Sequence, residues 1–419
     1  MIFKRFYGLI IVLILAYPTC AQNRSIVITG KVLDIISHAP LESVSILIRG
    51  SGQGTTTNNN GMFDLKTNGA GKIELQISSL GYKTQVIPVH TLKDTIQIRI
   101  LLSRSAGLLK EVVITHRSPL LIIQKAIQNI PNCYLSVPHT LKGFYRTFTK
   151  KQNEYLQVSE AVFDIYNYGY VKRKNNQLRL IKMRSVIDDQ ATHGLDIGMK
   201  PKEVFELDIV KKISHNPIFN EEGLRKHHFR LEGIEYYQGH KAYEITFYPK
   251  EKLEKVLYEG KVWVDSATNA FMAFDYKISN ENLQFSHFGN AVERMMMNLA
   301  DLQIFNKGER LQTTYREVGS KWILSTAVYN NTLGLSSKKK NYNFDANVRV
   351  NYVTTNVDTL HQTPFTNKEI LGNNKLIEFQ DTGVAGDFWK DYTIIFPDFD
   401  VEKVGLEIKA RNEKFKIRH

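Results

Sequence analysis

Residues 49–65 read RGSGQGTTTNNNGMFDL, four glycines and a run of Thr and Asn ahead of an apolar pair. Taken as a phosphate-binding loop, the stretch makes the first third of the chain an α/β nucleotide domain; taken as a turn, it makes that third all-β. A phosphate loop runs from a strand into a helix and, in the P-loop form, carries a Lys-Ser/Thr pair. No lysine lies between Gly50 and Leu65, the threonines and asparagines are poor helix starters, and GMFDL alternates like a strand. Asn60-Gly61 is a strong turn dipeptide in front of a strand, the glycine supplying positive φ. The stretch is a turn.

Its surroundings agree. SIVITGKVLD (25–34), ESVSILIRG (42–50), GMFDLKT (61–67), KIELQISSLGY (72–82) and TIQIRILL (95–102) alternate apolar with polar residues, separated by turn clusters. Short strands at even spacing predict a small antiparallel β-sandwich of the seven-stranded type over 26–115. Next, SPLLIIQKAIQNIPNCY (118–134) predicts a helix over about 119–130. Ser118 can cap it, Pro119 suits its first turn, Leu121, Ile122, Ala126 and Ile130 form its stripe, and Pro131 ends it. This helix lies in a linker over 116–138.

Strands then return, longer and more aromatic, and predict one large curved antiparallel sheet over 139–357. Its hairpins turn at Gln238-Gly239-His240, at Ser266–Asn269 and at Val318-Gly319-Ser320. From 358 to 419 the composition changes. Asp400 can cap a closing helix carrying Val404, Leu406 and Ile408, and Phe388-Trp389 would anchor this tail on the sheet. The fold class is therefore mainly β: sandwich, helix, half-barrel-like sheet and C-terminal helix.

Gly30-Lys-Val32, Asp34, Pro40–Ile46, Gly54-Thr55, Thr57, Asn60–Phe63 and Ser78–Tyr82 together resemble the carboxypeptidase regulatory-like domain, and LLKEVVIT (108–115) resembles its closing segment. The resemblance implies a transthyretin-like sandwich of exported Bacteroidetes-type proteins, an accessory module without peptidase chemistry. The residues Gly143–Arg146, Glu160-Ala161 and Ile165-Tyr166 are similar to an uncharacterised exported family that follows such sandwiches. The cadence Gly260–Asp265, Ala270–Tyr276, Tyr315 and Gly319–Trp322 is similar in strand rhythm to half-barrel lipoprotein carriers, in which a bent sheet wraps an apolar cavity.

At the start, Lys4-Arg5, an apolar run from Phe6 to Ala16 and the small residues Thr19 and Ala21 predict a signal peptide over 1–21, cleaved between Ala21 and Gln22. Lipid attachment at Cys20 is the disfavoured alternative, because Tyr17-Pro18-Thr19 is a poor lead-in. Past this segment no apolar run approaches the roughly 20 residues of a membrane helix. The formal charge of +13 falls by two on cleavage. That surplus suits an anionic membrane surface, and export argues against nucleic acid. Beyond Cys20, Cys133 is the one cysteine, so no intramolecular disulfide is expected. A receptor barrel would need several hundred further residues of lipid-facing strands, which the length argues against.

No catalytic motif emerges. His227-His228 would point to opposite faces of a strand, and no paired spacing adds a metal ligand from His215 or His240. Cys133 has no base near it in sequence and reads as an inert thiol. Asp188-Asp189 and Glu221-Glu222 read as solvated loops, as do Lys172-Arg173-Lys174 and Lys338–Lys340, the lysines being able also to rest on anionic headgroups. No cofactor is implied. The apolar candidates are Met295, Met296 and Met297 with Trp263, Phe271, Phe274, Tyr276 and Trp322. They could line a lipid-sized cavity or simply fill a core. The expectation is a non-enzymatic exported envelope protein binding a partner protein or an apolar ligand, with lipid or lipoprotein carriage as the alternative and an envelope hydrolase as the third reading.

Overall fold

The computed structural model describes residues 25–68, 71–91, 93–105, 118–172, 174–192, 197–250, 255–289, 291–360, 362–370 and 389–418. The expected signal peptide over 1–21 with Cys20, the cleavage position Ala21-Gln22, the segment 108–115, Arg173 and Phe388 lie outside them.

The opening stretch does join strands. Its Gly61 takes φ +72, and Asn58 Oδ1 accepts the amides of Asn60 and Met62 at 3.0 and 2.8 Å, closing the turn ahead of the strand Met62–Thr67. Seven strands build the sandwich: β1 (Ile26–Asp34), β2 (Ser45–Ile48), β3 (Gly54–Thr56), β4 (Met62–Thr67), β5 (Lys72–Ser78), β6 (Gln85–His90) and β7 (Thr95–Leu102). They form sheets ordered β4-β1-β7 and β3-β2-β5-β6. Ile28, Val32, Ile46, Phe63, Leu65 and Ile77 are among the side chains packed between them. The pattern misses β3 and β6, because one is three residues long and the other carries a proline. One pairing also departs from the antiparallel expectation: β1 and β7 run parallel.

Helix α1 (Pro119–Gln128) ends at Asn129, and a further helical turn α2 (Ile130–Cys133) follows. Pro131 therefore opens a turn rather than closing the helix. Ile122, Ile123 and Ala126 are buried, Leu121 faces solvent, and Ser118 makes no side-chain cap.

The large sheet holds β8 (His139–Lys151), β9 (Glu154–Asn167), β10 (Gln177–Ile187), β11 (His227–Tyr237), β12 (His240–Pro249), β13 (Tyr258–Asp265), β14 (Phe271–Ile278), β15 (Gln303–Val318), β16 (Lys321–Ser337) and β17 (Tyr342–Asp358). All pairings are antiparallel, in the order β10-β9-β8-β17-β16-β15-β14-β13-β12-β11, and the sheet is half-barrel-like. Its edge strands, β10 and β11, are consecutive in sequence. The connection between them, which includes α3 (Glu221–Lys226), must therefore cross one face. It crosses the inner face, where Val204, Leu207, Val210, Ile213, Ile218 and Phe219 join the main core.

The outer face carries the tail and the sandwich. Trp389 and Ile395 pack on Phe144, Val162 and Val353. Helix α5 (Val401–Arg418) sets Val401 and Ile408 on Phe148, Val158 and Val186, while Leu406 stays exposed. Asp400 Oδ1 caps it by accepting the Lys403 amide at 3.0 Å. A fourth helix, α4 (Ala291–Leu299), sits between β14 and β15. No helix among the described residues is long and apolar enough to cross a membrane.

Candidate functional site

The expected apolar lining divides across the sheet. Register pairs Val262 with Phe274 and Ile245, and Gly260 with Tyr276 and Phe247, so these side chains share the inner face. Phe271 joins them although it lies three residues from Phe274. A register shift between Trp263 and Val264 leaves Met272 unpaired and turns the strand. Phe219 from the crossing connection rests on this group, its ring centroid 5.9 Å from Phe271, 5.2 Å from Phe274 and 5.6 Å from Phe247.

Polar bonds pin the connection there. Asn216 Nδ2 donates to Tyr276 Oη (3.3 Å), Thr313 Oγ1 to Leu207 O (3.3 Å), and the Val210 amide to Tyr315 Oη (3.0 Å). Tyr315 Oη in turn donates to Asp208 Oδ1 at 3.0 Å, and burial pushes that carboxyl up.

The other candidates lie elsewhere. Trp263 pairs with Ala273 and Glu244 on the outer face, and its indole N–H donates to Glu235 Oε2 at 3.2 Å. Trp322, just past the β15–β16 turn, belongs to the main core, bridged to Tyr134, whose hydroxyl donates to Phe271 O, and 5.4 Å from the His240 ring. Met295 and Met296 stand exposed on α4, and Met297 is half-buried. The eight residues therefore do not form one lining. Alternation in β13 sends Trp263 outward, and the methionines belong to a helix that buries none of its residues.

The densest chemistry is at the turns beside Trp322. His240 Nδ1 lies 2.8 Å from Asp265 Oδ2 and Nε2 lies 3.3 Å from Glu317 Oε2. Asp265 first and Glu317 second raise the imidazole to about 10. An imidazolium held on both nitrogens has no lone pair for general-base work at neutral pH. Nearby, Cys133 Sγ contacts Thr268 O (3.3 Å) and Asn129 Nδ2 (3.2 Å), and burial pushes its thiol up. A thiol raised in this way is a poor nucleophile. The cluster ties the β11–β12, β13–β14 and β15–β16 turns together. Among the described residues no group of His, Cys, Asp and Glu is placed to hold a metal. His227 is buried and His228 exposed, as strand alternation requires.

The outer face holds a buried ion network that local patterning did not reveal. Glu160 is fully buried between Arg146 (Nε to Oε1, 2.6 Å) and Arg184 (Nε to Oε2, 2.7 Å), and the Trp389 indole donates to Oε2 at 2.9 Å. Arg146 also donates to Ile395 O at 3.0 Å, and Arg184 pairs with Glu402. Asp188, expected in a solvated loop, is buried instead, its Oδ2 accepting Arg411 Nε at 2.6 Å. Glu221 and Glu222 remain solvated.

The sandwich is fastened over the same tail. Lys66 Nζ donates to Trp389 O and Tyr392 O (2.8 and 2.9 Å), Asn58 Nδ2 to Pro397 O (3.2 Å), and the Asn59 amide to Asp398 Oδ1 (2.9 Å). Directly between sandwich and sheet, Arg349 reaches Glu42 and Asn59. Arg316, 1% exposed, donates to Gly52 O at 2.7 Å and Thr354 O at 3.3 Å, and burial lowers it to about 10.

Comparison with curated proteins finds no match. Among solved structures, the chain is similar to a DUF1329 family protein from Desulfovibrio piger (10% identity, TM-score 0.25), covering 59% of this chain and 96% of that one. It is similar to a LolA superfamily protein from Nitrosomonas europaea (8%, TM-score 0.23), covering 61% and 98%. It also resembles a chain of a type II cohesin–X-dockerin complex from Acetivibrio cellulolyticus (20%, TM-score 0.18), covering 24% and 73%. Residues 28–114 match the family model of the CarboxypepD_reg-like domain, and the N-terminal sandwich is thus a carboxypeptidase regulatory-like domain, a non-catalytic domain type.

Proposed function

We propose that this chain is a non-enzymatic, exported cell-envelope protein that works as a binding scaffold. The observation that carries the reading is the way the C-terminal tail is built into both domains. Residues 389–398 bond to the sandwich through Lys66, Asn58 and Asn59, and to the sheet through Glu160 and Arg146. A regulatory-like domain held at this many points presents its surface in a fixed orientation, which suits docking of a partner better than a tethered module does. Export rests on the basic, apolar and small-residue order of the first 21 residues.

Carriage of lipid inside the half-barrel is the competing reading. It requires the crossing connection, with Phe219 against Phe247, Phe271 and Phe274, to leave the inner face. Native mass spectrometry of protein isolated from the envelope fraction of its own cells, with organic extraction of the sample, separates the two. A co-isolated protein partner without lipid supports the scaffold. A stoichiometric lipid-sized adduct assigns the carrier role, and recovery of full-length, unprocessed protein from the cytosol sinks the export reading.

A further inference from the structure

The rim of the large sheet at α4 shows an inverted amphipathic helix. Val292, Met295, Met296 and Leu299 recur at i, i+3, i+4 and i+7, the spacing that normally turns a stripe toward a core. Here they are 62, 58, 63 and 74% exposed, and no residue of the helix is buried. Phe288 and Phe305, which flank the helix in sequence, are exposed as well.

A basic turn is fixed beside this patch. Asp301, just past the helix, accepts from Ser337 Oγ (2.7 Å) and from the Lys339 amide (2.6 Å), which seats Lys338–Lys340 next to the helix end. All three lysines are exposed. At the same end of the sheet, Lys151, the last residue of β8, lies 4.8 Å from the Phe344 ring of β17. Of the acidic groups at this rim, Asp301 is engaged by the turn and Asp345 by Lys307 at 2.6 Å, and Glu293 lies on the helix itself.

We propose that this rim docks on an anionic lipid bilayer, with the stripe of α4 lying in the headgroup region and Lys338, Lys339 and Lys151 over acidic headgroups. A short helix with a wide apolar stripe beside clustered lysines is the pattern of a segment that lies in the interface plane rather than crossing it. The inference deepens the scaffold reading by naming the surface on which the scaffold rests.

Co-sedimentation of the purified chain with phosphatidylglycerol-containing vesicles, and with pure phosphatidylcholine vesicles, tests it. Binding is expected to the anionic vesicles alone and to weaken with added salt. Lys338→Gln and Lys339→Gln should each lower the partition coefficient about fivefold. Leu299→Asp, at an exposed position where folding is unaffected, should abolish binding with an unchanged circular dichroism spectrum. Equal binding to both vesicle types, binding indifferent to these variants, or no binding would overturn the proposal. A dimer in sedimentation velocity that Leu299→Asp splits would overturn it too, because the stripe would then be covered by a second copy. None of these outcomes depends on the partner or lipid adduct sought from the envelope fraction, so the two readings fail separately.

Discussion

Glu160→Gln perturbs the tail clamp with almost no change in volume. The amide can still accept one bond, but it removes the carboxylate between two buried guanidiniums, Arg146 at 1% and Arg184 at 5% exposure. Arg184 keeps Glu402, whereas Arg146 keeps the carbonyl of Ile395. Removing one member of a buried pair costs about 3–5 kcal/mol, because the remaining charge stays desolvated. With one arginine still paired, about 3 kcal/mol is expected.

At a urea slope of about 3 kcal/mol/M this moves the unfolding midpoint down by about 1 M. The control is Arg179→Gln. Its pairs with Asp164 and Glu369 are over a third open to solvent on the arginine side, and should cost less than about 1 kcal/mol. Burial acts to raise the Glu160 carboxyl, but Arg146 and Arg184 outweigh it and hold the group below its ordinary 4.5. Its contribution is thus present above pH 4.5 and lost as pH falls through the lowered value. The variant should flatten that acid limb. A Glu160→Gln protein within about 1 kcal/mol of the parent, with the acid limb intact, would refute the reasoning, and the tail would then be held by its packing and its bonds to the sandwich.

Phe219→Ala, which empties the contact between the crossing connection and the inner face, should cost about 3–5 kcal/mol by urea unfolding. His240 gains carboxylate partners on folding, so its stabilisation is complete below pH 6.5 and lost as pH rises through about 10. Melting temperatures across that window should fall for the parent and less steeply for His240→Gln. Lys66→Met removes both bonds to the tail carbonyls, and limited proteolysis should then cut near residue 389 faster than in the parent. Gly169 takes φ +95 with its hydrogen against the Ser136 carbonyl, so Gly169→Ala should destabilise by about 2 kcal/mol or more in the same urea assay.

Local pattern was enough for what depends on local chemistry. Asn58–Gly61 makes a turn through its own side chain and a left-handed glycine. The hairpins at Gln238-Gly239, Ser266–Asn269 and Val318–Ser320 rest on the same physics, and strand alternation sets His227 inward and His228 outward. Arg146 and Glu160 were legible as charges inside otherwise apolar strands, but nothing local shows that Arg184 and Trp389 come to meet them.

Tertiary structure decided which faces are covered. A register shift at Met272 puts Phe271 and Phe274 together and leaves Trp263 on the other side. The β10–β11 connection fills the inner face because the sheet order makes the edge strands neighbours in sequence. Residues 389–398 become a clamp only when Lys66 and Glu160, more than 200 residues away in the chain, arrive on either side of them. The methionine stripe of α4 is a perfect core pattern in sequence, and it faces solvent because no element of the described fold packs over it. Burial is a property of what lies opposite a side chain, and that is set by long-range topology rather than by residue spacing.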